Sequence, residues 1–350
     1  MKTVKILDRE VGAGCPAYLI AEMSCNHRQD YSIAKKTLRA IAASGADAVK
    51  LQTAKPETLT LDSDREEFVI KGGTLWDGRT LYDLYKETQT PWDWHEPLQK
   101  LATDLGLDFF SSPFDESAVG FLASLDIPVY KIASFEAVDP QLIKAAAGQG
   151  KPIIISTGIA SDDDIEIALQ ACREVGNDQI ILLKCTSAYP APLEAANLRQ
   201  IPALSERYEV PIGLSDHTES WIAPVGAVAL GACVIEKHFI LDRKLGGPDA
   251  SFSLEPEEFK MMVQRVREVE SAMGEAGLNS FNQGEQKARM YARSLFVVED
   301  IAQGEPFTDK NVRSIRPGFG LPPKEYDQVI GRKAKFRLER GTPLQWDLID

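Results

Sequence analysis

Two of the chain's four histidines, His217 and His238, stand just after two successive short apolar runs, Pro211–Leu214 and Cys233–Lys237. If those runs are neighbouring strands, about 4.8 Å separates them. Protonated imidazoles that close repel one another, and a shared divalent cation removes the conflict. Satisfied histidines at a rim are the alternative. Three other runs end in Lys50, Lys131 and Lys184, where buried parallel strands should be almost wholly apolar. Such lysines are costly unless paired or functional. With the hydroxyls around them, Ser112, Ser134, Ser156, Ser187, Tyr189 and Ser215, three converging lysines would bind an anion carrying phosphate and carboxylate. Salt bridges at a rim are the bland reading. Glu22 ends the first run and is either a general base for water or the partner of Lys50. Asp249, in Gly246-Gly247-Pro248-Asp249, is either a sugar-hydroxyl ligand or a turn residue. His27 follows the first run and could touch substrate, whereas His95 in WDWHEPL reads as structural.

Something must bring these residues together. Apolar runs recur at Ala17–Glu22, Ala48–Gln52, Asp108–Ser111, Val129–Ala133, Pro152–Ser156, Ile180–Cys185, Pro211–Leu214 and Cys233–Lys237. Segments with apolar residues at helical spacing follow them: Ile33–Ala43, Trp94–Leu105, Ser117–Ser124, Pro140–Ala147, Asp162–Val175, Glu194–Tyr208, Trp221–Leu230 and Pro256–Ala272. Ser161 with Asp162, Asp163 and Asp164 supplies an N-cap and an acidic first turn. Eight strands alternating with eight helices predict parallel strands, crossover helices and closure into an α/β fold, the (β/α)8 TIM barrel. A doubly wound sheet is the alternative, but no GxGxxG follows the first run. In a barrel the chemistry lies at the C-terminal strand ends, where the polar residues above fall.

Two stretches break the rhythm. Thr53–Pro91, with Trp76, Tyr82 and Tyr85, is far longer than an ordinary strand–helix loop. Near Gly274 an apolar-poor stretch begins, GEAGLNSFNQGEQKARM. Strand-like pieces follow at Ser294–Glu299, Asp300–Phe307, Asn311–Pro317 and Gly318–Pro323. The expected layout is a barrel over 1–275, a linker over 276–290 and a small β-rich domain over 291–350, which would dock on something because its core is marginal.

Composition closes off other classes. Of 350 residues, 44% are hydrophobic and 26% charged, which is ordinary globular usage. No apolar run approaches the roughly 18 residues of a membrane helix, and MKTVKILDREVG has no secretory h-region. A net charge of −13 argues against nucleic-acid binding. From Glu285 onward 12 Lys and Arg face 10 Asp and Glu, a net of +2, which leaves −15 in the preceding residues. The five cysteines are odd in number and widely spaced, forming neither a disulfide framework nor a CxxC metal pattern. They read as reduced thiols in a cytoplasmic protein.

Across nearly its full length the chain resembles the sialic acid synthases, which condense phosphoenolpyruvate with an amino-sugar aldehyde. The motifs are AE-x3-NH (Ala21 to His27), VKLQT (Val49–Thr53), SSPF (Ser111–Phe114), YKIAS (Tyr130–Ser134), IISTG (Ile154–Gly158), KCTSAYP (Lys184–Pro190), GLSDH (Gly213–His217), EKHF (Glu236–Phe239) and GGPD (Gly246–Asp249). RSLFVVEDIAQGE and IRPGFGL resemble the antifreeze-like (SAF, β-clip) domain that ends these enzymes. KGGTLWDGRTLYDLYKE (Lys71–Glu87), TPWDWHEPL (Thr90–Leu98) and KCTSAYPAP (Lys184–Pro192) are most similar to the pseudaminic branch. The N-acetylneuraminate branch has HCTN where this chain has Lys184-Cys185-Thr186-Ser187.

The resemblance implies that His217 and His238 hold Mn²⁺ or Mg²⁺. Lys50, Ser112, Lys131, Ser134, Ser156, Ser187 and Ser215 would contact phosphoenolpyruvate, with Lys50 and Lys131 stabilising developing negative charge. Gln52, Tyr189 and Asp249 would face a 2,4-diacetamido-2,4,6-trideoxy sugar of the altrose type. Arg316 would enter the partner's site in a homodimer whose SAF domains cap the barrels. Three rival readings make other forecasts. A neuraminate or legionaminate synthase would turn over another N-acetylated amino sugar. A Schiff-base aldolase using Lys50 or Lys131 would need no metal. A non-catalytic carbohydrate-binding protein would show no turnover.

Overall fold

The computed structural model describes residues 2–73, 76–274 and 282–350. Thr74 and Leu75 of the long loop, and residues 276–281 of the expected linker, lie outside the described residues. The chain divides into two compact units, Met1–Gly274 and Glu275–Asp350.

The first unit opens with an antiparallel hairpin, β1 (Thr3–Ile6) and β2 (Arg9–Gly12). Then come eight parallel strands: β3 (Tyr18–Glu22), β4 (Ala48–Thr53), β5 (Asp108–Pro113), β6 (Tyr130–Ile132), β7 (Ile153–Ser156), β8 (Ile180–Cys185), β9 (Ile212–Asp216) and β10 (Val234–His238). They pair in sequence order, and β10 closes on β3. The expected TIM barrel is the observed fold. Its strands are buried on both faces because helices cover the outside. Those helices are Tyr31–Ala43, His95–Asp104, Glu116–Ser124, Pro140–Ala147, Asp162–Glu174, Gln200–Tyr208, Ile222–Ala229 and Pro256–Met273.

Local chemistry sets the helix starts. Asp30, Asp115 and Asp139 accept backbone N–H bonds at three of them, and Ser161 with Asp164 forms a full capping box at a fourth. The segment expected as one helix over 194–208 is a 3-10 turn, Leu193–Ala196, and a separate helix, because Asn197 adopts a left-handed conformation between them. The long loop contains short helices at Pro56–Leu59 and Leu81–Thr88. The β1–β2 hairpin was not anticipated. Its Val4, Ile6 and Val11 join the barrel core, and Arg9 pairs with Asp47 at 2.6 Å just before β4 begins. That contact places the hairpin at the N-terminal end of the barrel, opposite the strand ends that carry the chemistry.

The second unit has its own core, including Leu295, Phe307, Val312, Val329 and Leu344. Its regular sheet is β11 (Ser294–Val297) against β12 (Val312–Ile315), extended by isolated bridges. Of the expected linker, the described part holds the helix Gln283–Ala288 and the 3-10 turn Arg289–Tyr291.

Candidate active site

Side chains alternate between the two faces of a strand, and here that alternation sorts the polar residues. Register pairs His238 with Glu22, Glu22 with Lys50, and Gln52 with Ser112. The inner face of the barrel mouth thereby collects Glu22, Lys50, Gln52, Ser112, Lys131, Ser156, Ser215, His217, Glu236 and His238. Lys50 contacts Glu22 directly, lies 3.7 Å from Glu236 Oε1, and donates to Ser112 Oγ at 3.1 Å. Lys131 Nζ is 3.3 Å from the same Glu236 oxygen, and Ser215 Oγ donates to it at 3.5 Å. Two carboxylates and two ammonium groups therefore form one buried chain, Glu22–Lys50–Glu236–Lys131. Gln52 Nε2 donates to Glu22 Oε1 at 3.0 Å.

The two carboxylates are tuned apart. Burial raises Glu22 to about 7, although Lys50 opposes it. Burial pushes the same way on Glu236, but Lys131 and Lys50 outweigh it and hold that carboxyl below its ordinary value. Lys50 rises because Glu22 and Glu236 overcome its burial. Lys131 falls, chiefly by burial. Carboxylates separated in this way can divide the labour, one exchanging protons and one keeping its charge. Glu136, just past β6, is also raised by burial to about 7.

Lys184 does not converge with Lys50 and Lys131, contrary to expectation. It is one residue out of phase with Cys185, whose thiol faces Lys131. Lys184 Nζ instead donates to Thr186 Oγ1 and, at 3.5 Å, to the Ala195 carbonyl. Among the described residues, Lys50 and Lys131 meet inside the barrel mouth, and their companion is Glu236, a residue that spacing from His238 by two positions on one strand could have marked.

A second cluster lies beside the first. Ser134 Oγ and Ser187 Oγ are 2.8 Å apart, and the Ile159 N–H donates to Ser134 at 3.1 Å. A methyl on Gly158 would sit 2.2 Å from Ser187 Oγ and 2.6 Å from Ser134 Oγ, so only glycine lets the backbone approach this pair. Ser156 Oγ is buried with no hydrogen-bond partner among the described residues. Hydroxyls, a backbone N–H and Lys131 suit an oxyanion.

The histidine rings have centroids 5.3 Å apart. His217 Nδ1 donates to the Thr186 carbonyl at 2.9 Å, which leaves Nε2 with its lone pair. Among the described residues His238 Nδ1 has no hydrogen-bond partner, and it lies 3.6 Å from Asp249 Oδ2. Asp249 also accepts from Ser24 Oγ and, at 3.5 Å, from Cys25 Sγ, which holds its carboxylate beside the histidine pair. Burial lowers His217 to about 4 and His238 well below the ordinary imidazole value. Two neutral imidazoles, one oriented through its other nitrogen, fit a divalent ion. Among the described residues no cluster of three or more His, Cys, Asp or Glu could hold a metal, so the fit is to two protein ligands with the remaining positions open.

Tyr189 covers this pair, its ring 4.4 Å from His217 and 5.4 Å from Phe252. His27 is buried against Thr90 and His95 against Thr53, at 3.1 and 2.7 Å. The first contact ties the long loop to the barrel and the second ties the helix His95–Asp104 to β4, and neither ring is seen in contact with the charged chain among the described residues. Arg316 is exposed in the second unit, directly after β12.

Residues 37–277 match the model of the NeuB family, and residues 292–350 match the SAF domain. The chain is 47% identical to a pseudaminic acid synthase of Helicobacter pylori over 96% of this chain and 98% of that protein. It is 35% identical to an N,N'-diacetyllegionaminic acid synthase of Legionella pneumophila, over 97% and 96% of the two chains. Among solved structures, an N-acetylneuraminic acid synthetase from Leptospira borgpetersenii superposes with a TM-score of 0.74 at 30% identity, covering 82% of this chain and 94% of that one.

Proposed function

Because the chain belongs to the NeuB family and ends in a SAF domain, we propose that it condenses phosphoenolpyruvate with 2,4-diacetamido-2,4,6-trideoxy-altropyranose, giving pseudaminic acid and phosphate. The observation that carries this reading is the buried chain Glu22–Lys50–Glu236–Lys131 at the barrel mouth, next to two neutral imidazoles. The similarity to the Helicobacter pylori pseudaminic acid synthase supports this choice of sugar.

The reaction joins C3 of phosphoenolpyruvate to the aldehyde carbon of the open-chain sugar. The aldehyde oxygen takes up a proton, water adds its oxygen to C2, and the C2 hydroxyl so formed gives up its proton to become the ketone as the C2–O bond to phosphate breaks and phosphate leaves. Lys50 and Lys131 bind and neutralise the carboxylate and phosphate in a site closed to solvent, where preorganised charge is worth most. Ser112, Ser134, Ser156, Ser187 and Ser215 fix the oxyanions. Glu22, poised near 7, takes the proton from the attacking water, and Gln52 holds its carboxyl in place. Glu236 remains ionised and keeps both lysines charged. His217 and His238 would hold a divalent ion, Mn²⁺ or Mg²⁺, which polarises the aldehyde oxygen when bound. Tyr189 and Asp249 flank the sugar.

A second copy completes the site in this reading. Arg316 is exposed beside the exposed Phe319, which suits an arm that enters a partner's barrel mouth in a head-to-tail homodimer. A reducing, cytoplasmic setting agrees with five free cysteines. No helix among the described residues is long and apolar enough to cross a membrane.

The test is phosphate release from phosphoenolpyruvate with the diacetamido trideoxy sugar or N-acetylmannosamine, each with and without chelator. Turnover of the first sugar, lost on chelation, is expected. Preference for N-acetylmannosamine would overturn the sugar, and chelator-insensitive turnover would overturn the metal.

A further inference from the structure

Between the long loop and the Gly246–Asp249 turn lies a groove of about 520 Å³, lined by Trp76, Arg28, Arg79, Arg243, Gly247 and Pro248 among others. The chemistry described so far does not use it. Trp76 connects it to the site: its ring centroid is 6.0 Å from Tyr189, whose ring lies 4.4 Å from His217. An aromatic line therefore runs outward from the imidazole pair, through Tyr189, to Trp76. A six-carbon open-chain sugar with its aldehyde at the imidazoles must extend along such a line, because the charged chain and the barrel floor occupy the other direction.

The side chains of the groove bear on what this far end carries. Arg28 and Arg79 both pair with Glu87, at 2.9 and 2.8 Å. Arg243 pairs with Glu258 and lies 3.9 Å from Glu255. All three guanidiniums are held by carboxylates, Arg28 and Arg79 by the same one. The Trp76 ring adds a flat apolar surface to this lining, suited to a methyl-bearing group.

We propose that Trp76 is a specificity-determining residue that seats the far end of the sugar, its C6 methyl and C4 acetamido methyl, against the indole face. The proposal rests on the sugar reading above and refines it: the distal subsite takes the methyl-bearing end of the sugar. Losing an apolar contact of that size costs about 10- to 100-fold.

The experiment uses the full chain with steady-state phosphate release. In Trp76→Ala, KM for the diacetamido trideoxy sugar should rise about 10- to 100-fold, while KM for phosphoenolpyruvate stays within about twofold, the pattern of a lost sugar contact. Trp76→Phe, which keeps an aromatic face, should restore most of the sugar affinity. An unchanged sugar KM in Trp76→Ala, or an equal rise for both substrates, would overturn the proposal. Wild-type enzyme runs in parallel, so its failure to use this sugar would overturn the functional reading instead.

Discussion

Lys237 and Asp216 form an ion pair on the outer face of the barrel wall, each one residue away from an inward histidine. Both are almost fully buried, and Lys237 also donates to the Thr218 carbonyl, while Thr218 donates its N–H and hydroxyl to Asp216. The pair bridges β9 to β10 and so fixes the spacing of His217 and His238. Removing one member of a buried pair strands the other charge, at a cost of about 3–5 kcal/mol. Asp216→Asn should therefore lower the melting temperature clearly and weaken Mn²⁺ binding measured by calorimetry. Asp216→Asn combined with Lys237→Met should recover much of the melting temperature. A single mutant that melts like wild type would show that the pair contributes nothing to the wall.

Glu22 offers a kinetic test with a definite pH sign. A general base works only when ionised, and burial places this carboxyl at about 7. The value of kcat/KM should thus fall as pH drops below about 7, following one proton. Glu22→Gln should lose about 10²–10⁴-fold in turnover and abolish that limb. Glu136 is raised to about the same value, so Glu136→Gln is the control. If the limb disappears there and persists in Glu22→Gln, the base is Glu136.

Gly158 is the tightest backbone approach in the site. The clash of a Cβ with Ser187 Oγ and Ser134 Oγ would drive apart the two hydroxyls that share a hydrogen bond. Gly158→Ala should raise KM for phosphoenolpyruvate by about 10- to 100-fold, the loss of one or two bonds to a charged oxyanion. KM for the sugar should change little. An unaltered phosphoenolpyruvate KM would remove the serine pair from its binding site.

The order of elements was legible because short apolar runs alternate with segments of helical spacing from Ala17 to Met273, interrupted by the long loop, and the strands lie within a residue or two of those runs. The β1–β2 hairpin escaped because its four-residue strands carry only Val4, Ile6 and Val11 inward around a tight Leu7-Asp8 turn. Most inner polar residues were legible from strand ends alone. A strand end fixes a residue's height in the barrel but not its phase, and Lys184 sits on the opposite phase from Cys185. Glu236 shares one face of β10 with His238, a relation that shows only once that phase is considered. The Trp76–Tyr189 contact was illegible for a different reason: nothing local relates a loop residue to one more than a hundred positions away.

The imidazoles permit a last test in which metal binding is the readout. Metal ligands must be deprotonated, and an ordinary imidazole with a pKa near 6.5 loses about tenfold in affinity one pH unit below it. Two ordinary ligands would cost about 100-fold by pH 5.5. Burial holds His217 at about 4 and His238 well below its usual value, so both stay neutral there. Mn²⁺ affinity, followed by calorimetry or by the free-ion electron paramagnetic resonance signal, should change by less than about fivefold between pH 7.5 and 5.5. His217→Ala should abolish binding at both pH values. A steep fall centred near 6.5 would mean that the rings meet water more freely than their burial implies. Binding that survives in His217→Ala would assign the ion to other ligands.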